Sequence, residues 1–79
     1  MNNNHTLTLD KPSVGEHAIV ESFTNNAVKL LLLEMGCIPG EEIFIEQIAP
    51  LGDPIAINVS GYVLSMRKAE AAAVEVKKI

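Results

Sequence analysis

The sequence predicts a mainly β domain, a small barrel of about five antiparallel strands with two short helices. Short apolar segments alternate with polar residues at a period of two through most of the 79-residue chain. Only two stretches depart from that period, which is too few helices for the crossover connections of an open parallel sheet. Five glycines lie between the alternating segments, where a small barrel must turn corners.

The length bounds the domain organisation. A chain of 79 residues is enough for one domain, close to the lower size at which burial alone holds a core. The start contains Asn-Asn-Asn, which has no apolar side chain to offset the entropy of ordering. We therefore expect a disordered N-terminus over residues 1–6 and one domain over residues 7–79.

The first β segments are read from alternation. Leu7 and Leu9 mark a short edge segment, and after two turns the alternation resumes as a first full strand. Successive side chains of a strand point to opposite faces. Strict alternation therefore places Phe23 beside Glu21, on the face opposite Val20.

The stretch "TNNAVKLLLLEMG" predicts a helix from about residue 25 to residue 35. Thr24 or Asn25 can cap its first amides, and Gly36 can take the left-handed position that ends it. The apolar face at i, i+3, i+4 and i+7 comprises Val28, Leu31, Leu32 and Met35.

The second half returns to a period of two after Pro39-Gly40. Ile43 and Ile45 share one face of a strand, and strict alternation places Ile48 on the other. The later elements are a strand on each side of the tight Ser60-Gly61 break, an alanine-rich helix near residues 67–73 and a last strand over 74–78. Short strands joined in this way predict an SH3-like barrel.

Charge and composition exclude several classes of partner. Six Lys and Arg residues against ten Asp and Glu give a formal charge of −4, and no basic stripe follows any predicted element. Phosphate tracking needs such a stripe, and base stacking needs more than the three aromatic residues present. We therefore expect no nucleic-acid binding.

Targeting signals are lacking as well. The sequence has no basic start followed by an apolar run, and no 18 consecutive apolar residues. Its single cysteine suits a reducing compartment. We expect a cytoplasmic protein with no direct membrane insertion.

Three segments together carry a resemblance to a known family. They are the corner "LEMGCIPG", the loop "APLGDP" and the return strand with its helix, "GYVLSMRKAEA". In this combination and spacing the chain resembles the ferrous iron transport protein A (FeoA-like) family over residues 9–78. The resemblance independently implies an SH3-like fold.

The resemblance also implies a function. Members of that family are thought to act on the ferrous iron permease, a membrane protein with a cytosolic guanine-nucleotide-binding domain. It implies a non-enzymatic accessory or regulatory role in bacterial ferrous iron uptake. A related domain ends certain metal-dependent repressors, so the alternative is a stand-alone relative of that domain that binds a protein partner or a metal ion.

Candidate chemical groups are few. Cys37 follows a helix C-terminus and lies near glutamates, both of which disfavour a thiolate, so we interpret it as a structural thiol rather than a redox or metal site. His5 and His17 have no second ligand at a metal-binding spacing. No serine has a histidine and aspartate context. We expect no catalytic residue, no cofactor and no metal site.

Candidate partner contacts come from two places. Leu30 and Leu33 point away from the apolar helix face, where they are either ordinary surface leucines or a contact with a partner or a second copy. In the loop "APLGDP", Leu51 and Asp53 either belong to a rigid connector or present an apolar tip for docking. The partner that the resemblance implies is the cytosolic domain of the permease, and self-association is possible.

Overall fold

The computed structural model describes residues 6–79. The elements are β1 (Thr6–Thr8), β2 (His17–Phe23), α1 (Asn26–Glu34), β3 (Glu42–Ile48), β4 (Ile55–Val59), β5 (Tyr62–Met66), α2 (Lys68–Ala71) and β6 (Val74–Lys78). All strand pairs are antiparallel, in the order β1-β6-β2-β3-β4-β5. The predicted mainly β fold with two short helices is confirmed, with β1 as a sixth strand at one edge. Apart from Thr6, the N-terminus predicted to be disordered lies outside the described residues.

One aliphatic core lies inside the bent sheet. Its fully buried larger side chains are Leu9, Val20, Leu32, Cys37, Ile43, Ile45, Ile55, Ile57, Val59, Val74 and Val76. No polar or charged residue between Thr6 and Ile79 is buried. The core therefore depends on burial of apolar surface, as expected for a chain that cannot form an internal disulfide.

Two register shifts change the predicted strand faces. In β2 the pairing with β6 steps from Val20 to Ser22, which leaves Glu21 as an extra residue. Phe23 then lies opposite the buried Val74 and packs against the core. The prediction that Phe23 shares a face with Glu21 is therefore wrong, because alternation does not continue through a bulge.

The strand β3 contains a register shift of the same kind. The pairing with β4 shifts between Ile45 and Gln47, so that Glu46 is the extra residue. Ile48 lies opposite the buried Ile55 and packs against the core. The prediction that Ile48 lies on the face opposite Ile43 and Ile45 is therefore wrong for the same reason. These two bulges bend the long central strands of the sheet.

The helix α1 has the predicted ends but a rotated contact face. Asn25 is the cap, and its Oδ1 accepts a hydrogen bond of 3.0 Å from the amide of Val28. Leu32 is buried and Val28 is half-buried, whereas Leu31 and Met35 are 42% and 38% exposed. The helix therefore packs along a narrower line than the predicted face, with two apolar side chains left at its margin.

The β4–β5 hairpin closes as predicted at Ser60-Gly61. Both residues have positive φ, 53° and 88°, the left-handed pair that a two-residue hairpin loop requires. Glycine is suited to this conformation and serine tolerates it at a cost. The register from Val59–Tyr62 to Ile55–Met66 continues without a shift.

Candidate functional site

The end of α1 explains why Cys37 is buried. The amide of Gly36 donates to the carbonyl of Leu33 at 3.1 Å, and that of Cys37 donates to the carbonyl of Leu32 at 2.9 Å. These two bonds form a Schellman motif, with Gly36 in the left-handed conformation at φ 88°. The motif turns the chain back over the helix, and Cys37 joins Leu32 in the core. The predicted structural role of this thiol agrees with its complete burial.

The environment of Cys37 opposes thiol chemistry. Burial raises the pKa of the thiol from 9.0 to about 11, and the negative charge of Glu41 adds to the effect. The thiolate is the nucleophile and the metal ligand, so the thiol is nearly fully protonated at neutral pH. The burial and the raised pKa favour a packing role for this position.

His17 lies at the surface rather than in a metal cluster. Its Nδ1 is 2.8 Å from Oε2 of Glu42, and its ring centre is 4.7 Å from that of Phe44. These residues line an open depression of about 310 Å³. Within residues 6–79, no three His, Cys, Asp or Glu side chains come together as a possible metal site. His5 lies outside the described residues, and the expected absence of a metal stays a prediction.

Leu51 is held at the tip of an ordered turn. The amide of Gly52 donates to the carbonyl of Ala49 at 2.7 Å, which closes a β-turn with Pro50 at its second position. The amide of Ala49 donates to the carbonyl of Pro54 at 3.0 Å, at the base of the loop. The turn leaves the Leu51 side chain 95% exposed. An apolar side chain held in water in this way is available for docking.

Asp53 has a structural partner on each side-chain oxygen. Oδ1 accepts a hydrogen bond of 2.9 Å from the amide of Lys68, at the start of α2. Oδ2 lies 3.4 Å from the guanidinium of Arg67. Asp53 therefore ties the loop to α2 and satisfies one of the amides that a helix start leaves free. Its predicted role as a partner contact stays a prediction.

The two leucines predicted to point outward differ from each other. Leu30 is 65% exposed, whereas Leu33 is half-buried. The helix is rotated so that its Leu33 side turns toward the core and its Leu31 side turns toward water. No hydrogen bond or ion pair of the described chain joins α1 to residues 49–54. The predicted contacts lie on two different elements, the helix α1 and the loop over residues 49–54.

The alternation and helical periods did not identify a third set of exposed apolar side chains at the end of α1. Leu31, Met35, Ile38 and Tyr62 are each between 38% and 45% exposed. The hydroxyl of Tyr62 lies 2.7 Å from the point where a side chain on Gly36 would begin, so the ring covers this glycine. The helical period shows which side chains share a face of the helix, but it does not show how the helix is rotated against the strands. The exposure of Leu31 and Met35 therefore follows from the structure alone.

Membrane crossing by a helix has no candidate in this fold. Across residues 6–79, neither helix combines the length and apolar character that a bilayer span requires.

Comparisons with known proteins agree on one family. The FeoA domain family matches residues 7–78. A relative from Porphyromonas gingivalis, a fusion of Fe(2+) transport protein A with the Fe(2+) transporter FeoB, is 32% identical over 74 residues. That match covers 92% of this chain but only 9% of the fusion protein.

Solved structures extend the likeness to the fold. A FeoA-like protein from Clostridium acetobutylicum has a TM-score of 0.88 at 33% identity, over 98% of this chain and 91% of that one. FeoA from Stenotrophomonas maltophilia, described as a procaryotic SH3 domain protein and solved with zinc, has a TM-score of 0.79 at 30% identity, over 90% and 89%.

A metal-dependent regulator shares the fold at lower identity. IdeR from T. acidophilum has a TM-score of 0.84 at 18% identity, and the match covers 100% of this chain but 37% of the regulator. At this identity the likeness concerns the fold alone. The family match over nearly the whole described chain, the relatives above 30% identity and the six-stranded SH3-like fold agree, and the chain belongs to the FeoA family, which is linked to ferrous iron transport.

Proposed function

We propose that this protein is a cytoplasmic, non-enzymatic accessory component of ferrous iron uptake that binds the cytosolic part of the ferrous iron permease. The observation that carries the proposal is the Porphyromonas gingivalis relative, in which a region similar to this chain is covalently joined to the transporter FeoB. Fusion keeps two modules at high effective concentration, which is useful when they work in contact. We infer that the region similar to this chain makes the same contact here.

The surface proposed for this contact is apolar. Leu30 on α1 and Leu51 on the loop are the most exposed leucines of the described chain, at 65% and 95%. Leu33 extends the helix part of the surface, and Asp53 holds the loop through Lys68 and Arg67. Apolar anchors that become fully buried commonly dominate the binding energy of an interface.

The test is direct binding to the purified cytosolic domain of the permease, measured by calorimetry with and without guanine nucleotide. Leu51→Asp and Leu30→Glu should each weaken binding by about tenfold or more, because each removes an anchor and places a charge in the interface. Val14→Asp is the matched control, since Val14 is 55% exposed on a different segment. Its affinity should equal that of the unmodified protein.

One outcome would contradict the proposed partner, and a different outcome would contradict the proposed binding surface. If the unmodified protein fails to bind in either nucleotide state, the proposed partner is wrong. If it binds and all three variants bind equally well, the partner stands and the assigned surface is wrong.

A role beside a metal-dependent repressor is the second candidate, and the SH3-like fold shared with IdeR is the observation that favours it. Genomic neighbourhood discriminates the two. A permease gene beside this one supports the first proposal, and a repressor gene supports the second.

A further inference from the structure

The strand β5 is an edge of the sheet with free main-chain groups. Its hairpin with β4 has a two-residue loop, so Val59 and Tyr62 exchange hydrogen bonds and the pattern alternates from there. The N–H and C=O groups of Val63 and Ser65 therefore point away from β4. Over residues 6–79, no main-chain hydrogen bond from another element reaches either residue.

This edge lacks the usual protection against strand pairing. Natural edges are blunted by charge, proline, bulges or very short length. The other edge, β1, spans three residues of the described chain, Thr6–Thr8. By contrast β5 reads "YVLSM", five uncharged residues in continuous register, and Val63 is 59% exposed.

We propose that β5 pairs antiparallel with β5 of a second copy of this chain, about a two-fold axis at Leu64. In this register Val63 of one copy lies opposite Ser65 of the other, and the reverse. Both residues carry the outward groups, so each of these two pairs exchanges two hydrogen bonds. Leu64 lies opposite Leu64 of the other copy, and the main-chain groups of both residues point toward their own β4. The N–H and C=O groups of Val63 and Ser65 therefore all have a partner across the contact.

Charge at the two ends of β5 favours a second copy as the occupant. Arg67 follows the strand but is paired with Asp53 at 3.4 Å, and its amide donates to Glu70, so the cation left without an ion pair among the described residues at this end is Lys68. Glu41 lies near the start of β5 and accepts a hydrogen bond of 3.1 Å from Oγ of Ser60. With the axis at Leu64, the end of β5 that carries Lys68 comes next to Ser60 and Glu41 of the other copy. The Lys68 ammonium of each copy therefore approaches the Glu41 carboxylate of the other, twice per pair. Parallel pairing would bring like charges together.

The expected assembly is weak because the contact is small. A strand pair of this length buries less than the roughly 1,200 Å² of a standard stable interface. Sedimentation velocity from about 10 µM to about 1 mM covers the range in which such contacts associate. The mass should rise from 8.5 kDa toward twice that value. Amide hydrogen exchange at Val63 and Ser65 should slow at the highest concentration.

Substitutions at the edge test the register. Ser65→Pro removes an outward N–H, which an edge strand tolerates, and should weaken association by about tenfold or more. Val63→Lys, which keeps the backbone intact, should weaken it as well. Lys68→Glu should reduce association, and the addition of Glu41→Lys to that variant should restore part of it. Leu30→Glu and Leu51→Asp are controls, and they should associate like the unmodified chain.

Several results would overturn the pairing. One is a mass that stays at 8.5 kDa over the whole range. Another is association that persists in Ser65→Pro and Val63→Lys but disappears in Leu30→Glu. A third is association without slower exchange at Val63 and Ser65. If the chain stays monomeric and Ser65→Pro abolishes binding to the permease domain, the edge belongs to that protein instead.

Discussion

Two turns of this protein are built from the same residue types and treat their central side chain in opposite ways. The corner over residues 36–40 and the loop over residues 49–54 both contain glycine and proline. In the corner Cys37 is completely buried, and in the loop Leu51 is 95% exposed. Glycine and proline therefore indicate that the chain turns, but they do not decide which way the side chain points.

Local hydrogen bonds account for the difference. At the corner, the bonds from the amides of Gly36 and Cys37 draw the chain back over the end of α1. In the loop, Gly52 closes a turn on Ala49, and Asp53 ties the base of the loop to α2. The corner thus adds a side chain to the core, and the loop keeps one out of it.

The largest expected effect comes from placing a carboxylate in the corner. Cys37→Asp buries a charge with no cationic partner, which costs several kcal/mol, comparable with the roughly 5–10 kcal/mol that stabilises a small domain. We expect a largely unfolded variant by circular dichroism. A cooperative thermal transition close to that of the unmodified protein would contradict the structural role of Cys37.

The next largest effect separates backbone strain from crowding. Gly36→Ala should lose about 2–4 kcal/mol in urea unfolding, because φ is 88° and the added carbon would begin 2.7 Å from the hydroxyl of Tyr62. Gly40→Ala is the matched control, with φ 95° and nothing within 4 Å of the added carbon. It should lose only about 1–2 kcal/mol.

Removal of the Tyr62 hydroxyl tests the crowding part of this prediction. In the Gly36→Ala background, Tyr62→Phe should recover part of the lost stability, since the nearest remaining ring atom lies 3.7 Å away. If Gly36→Ala and Gly40→Ala lose the same amount, Tyr62 does not crowd the corner.

A smaller effect depends on pH. The pKa of the Cys37 thiol is raised from 9.0 to about 11 on folding, so the folded protein holds this proton more tightly than the unfolded chain. The thiol's contribution is therefore fully present below pH 9 and is lost as pH rises toward 11, by as much as ~2 kcal/mol. The stability advantage over Cys37→Ala should shrink between about pH 9 and pH 11. A constant difference would mean that the thiol is not desolvated.

The smallest effect belongs to the loop tip. Leu51→Asp should change the free energy of unfolding by less than about 0.5 kcal/mol, because the side chain is already in water. Circular dichroism and urea unfolding would measure this. Cys37→Asp and Leu51→Asp place the same side chain in the two turns and so compare them directly. Loss of structure in Leu51→Asp would mean that Leu51 belongs to the core.

Local signals predicted much of the fold and part of the candidate site. The helix start, predicted at a cap on Thr24 or Asn25, the helix end at Gly36 and the hairpin loop at Ser60-Gly61 depend on neighbouring residues only. The structure confirms the last two and selects Asn25 as the cap. The outward position of Leu30 was also predicted correctly. The partial burial of Leu33 was not, because the rotation of α1 depends on the strands beneath it.

By itself, the sequence determined the strand segments through their alternating apolar residues. It also determined the ends of α1 and a corner that suits a buried apolar side chain, because hydrogen bonds within a few residues set these two features. Only the tertiary structure decided that bulges at Glu21 and Glu46 turn Phe23 and Ile48 toward the core. A bulge exists only relative to the strand that pairs with it, and that strand is distant in the chain. The same reason explains why the free edge of β5 became visible only once the sheet order was known.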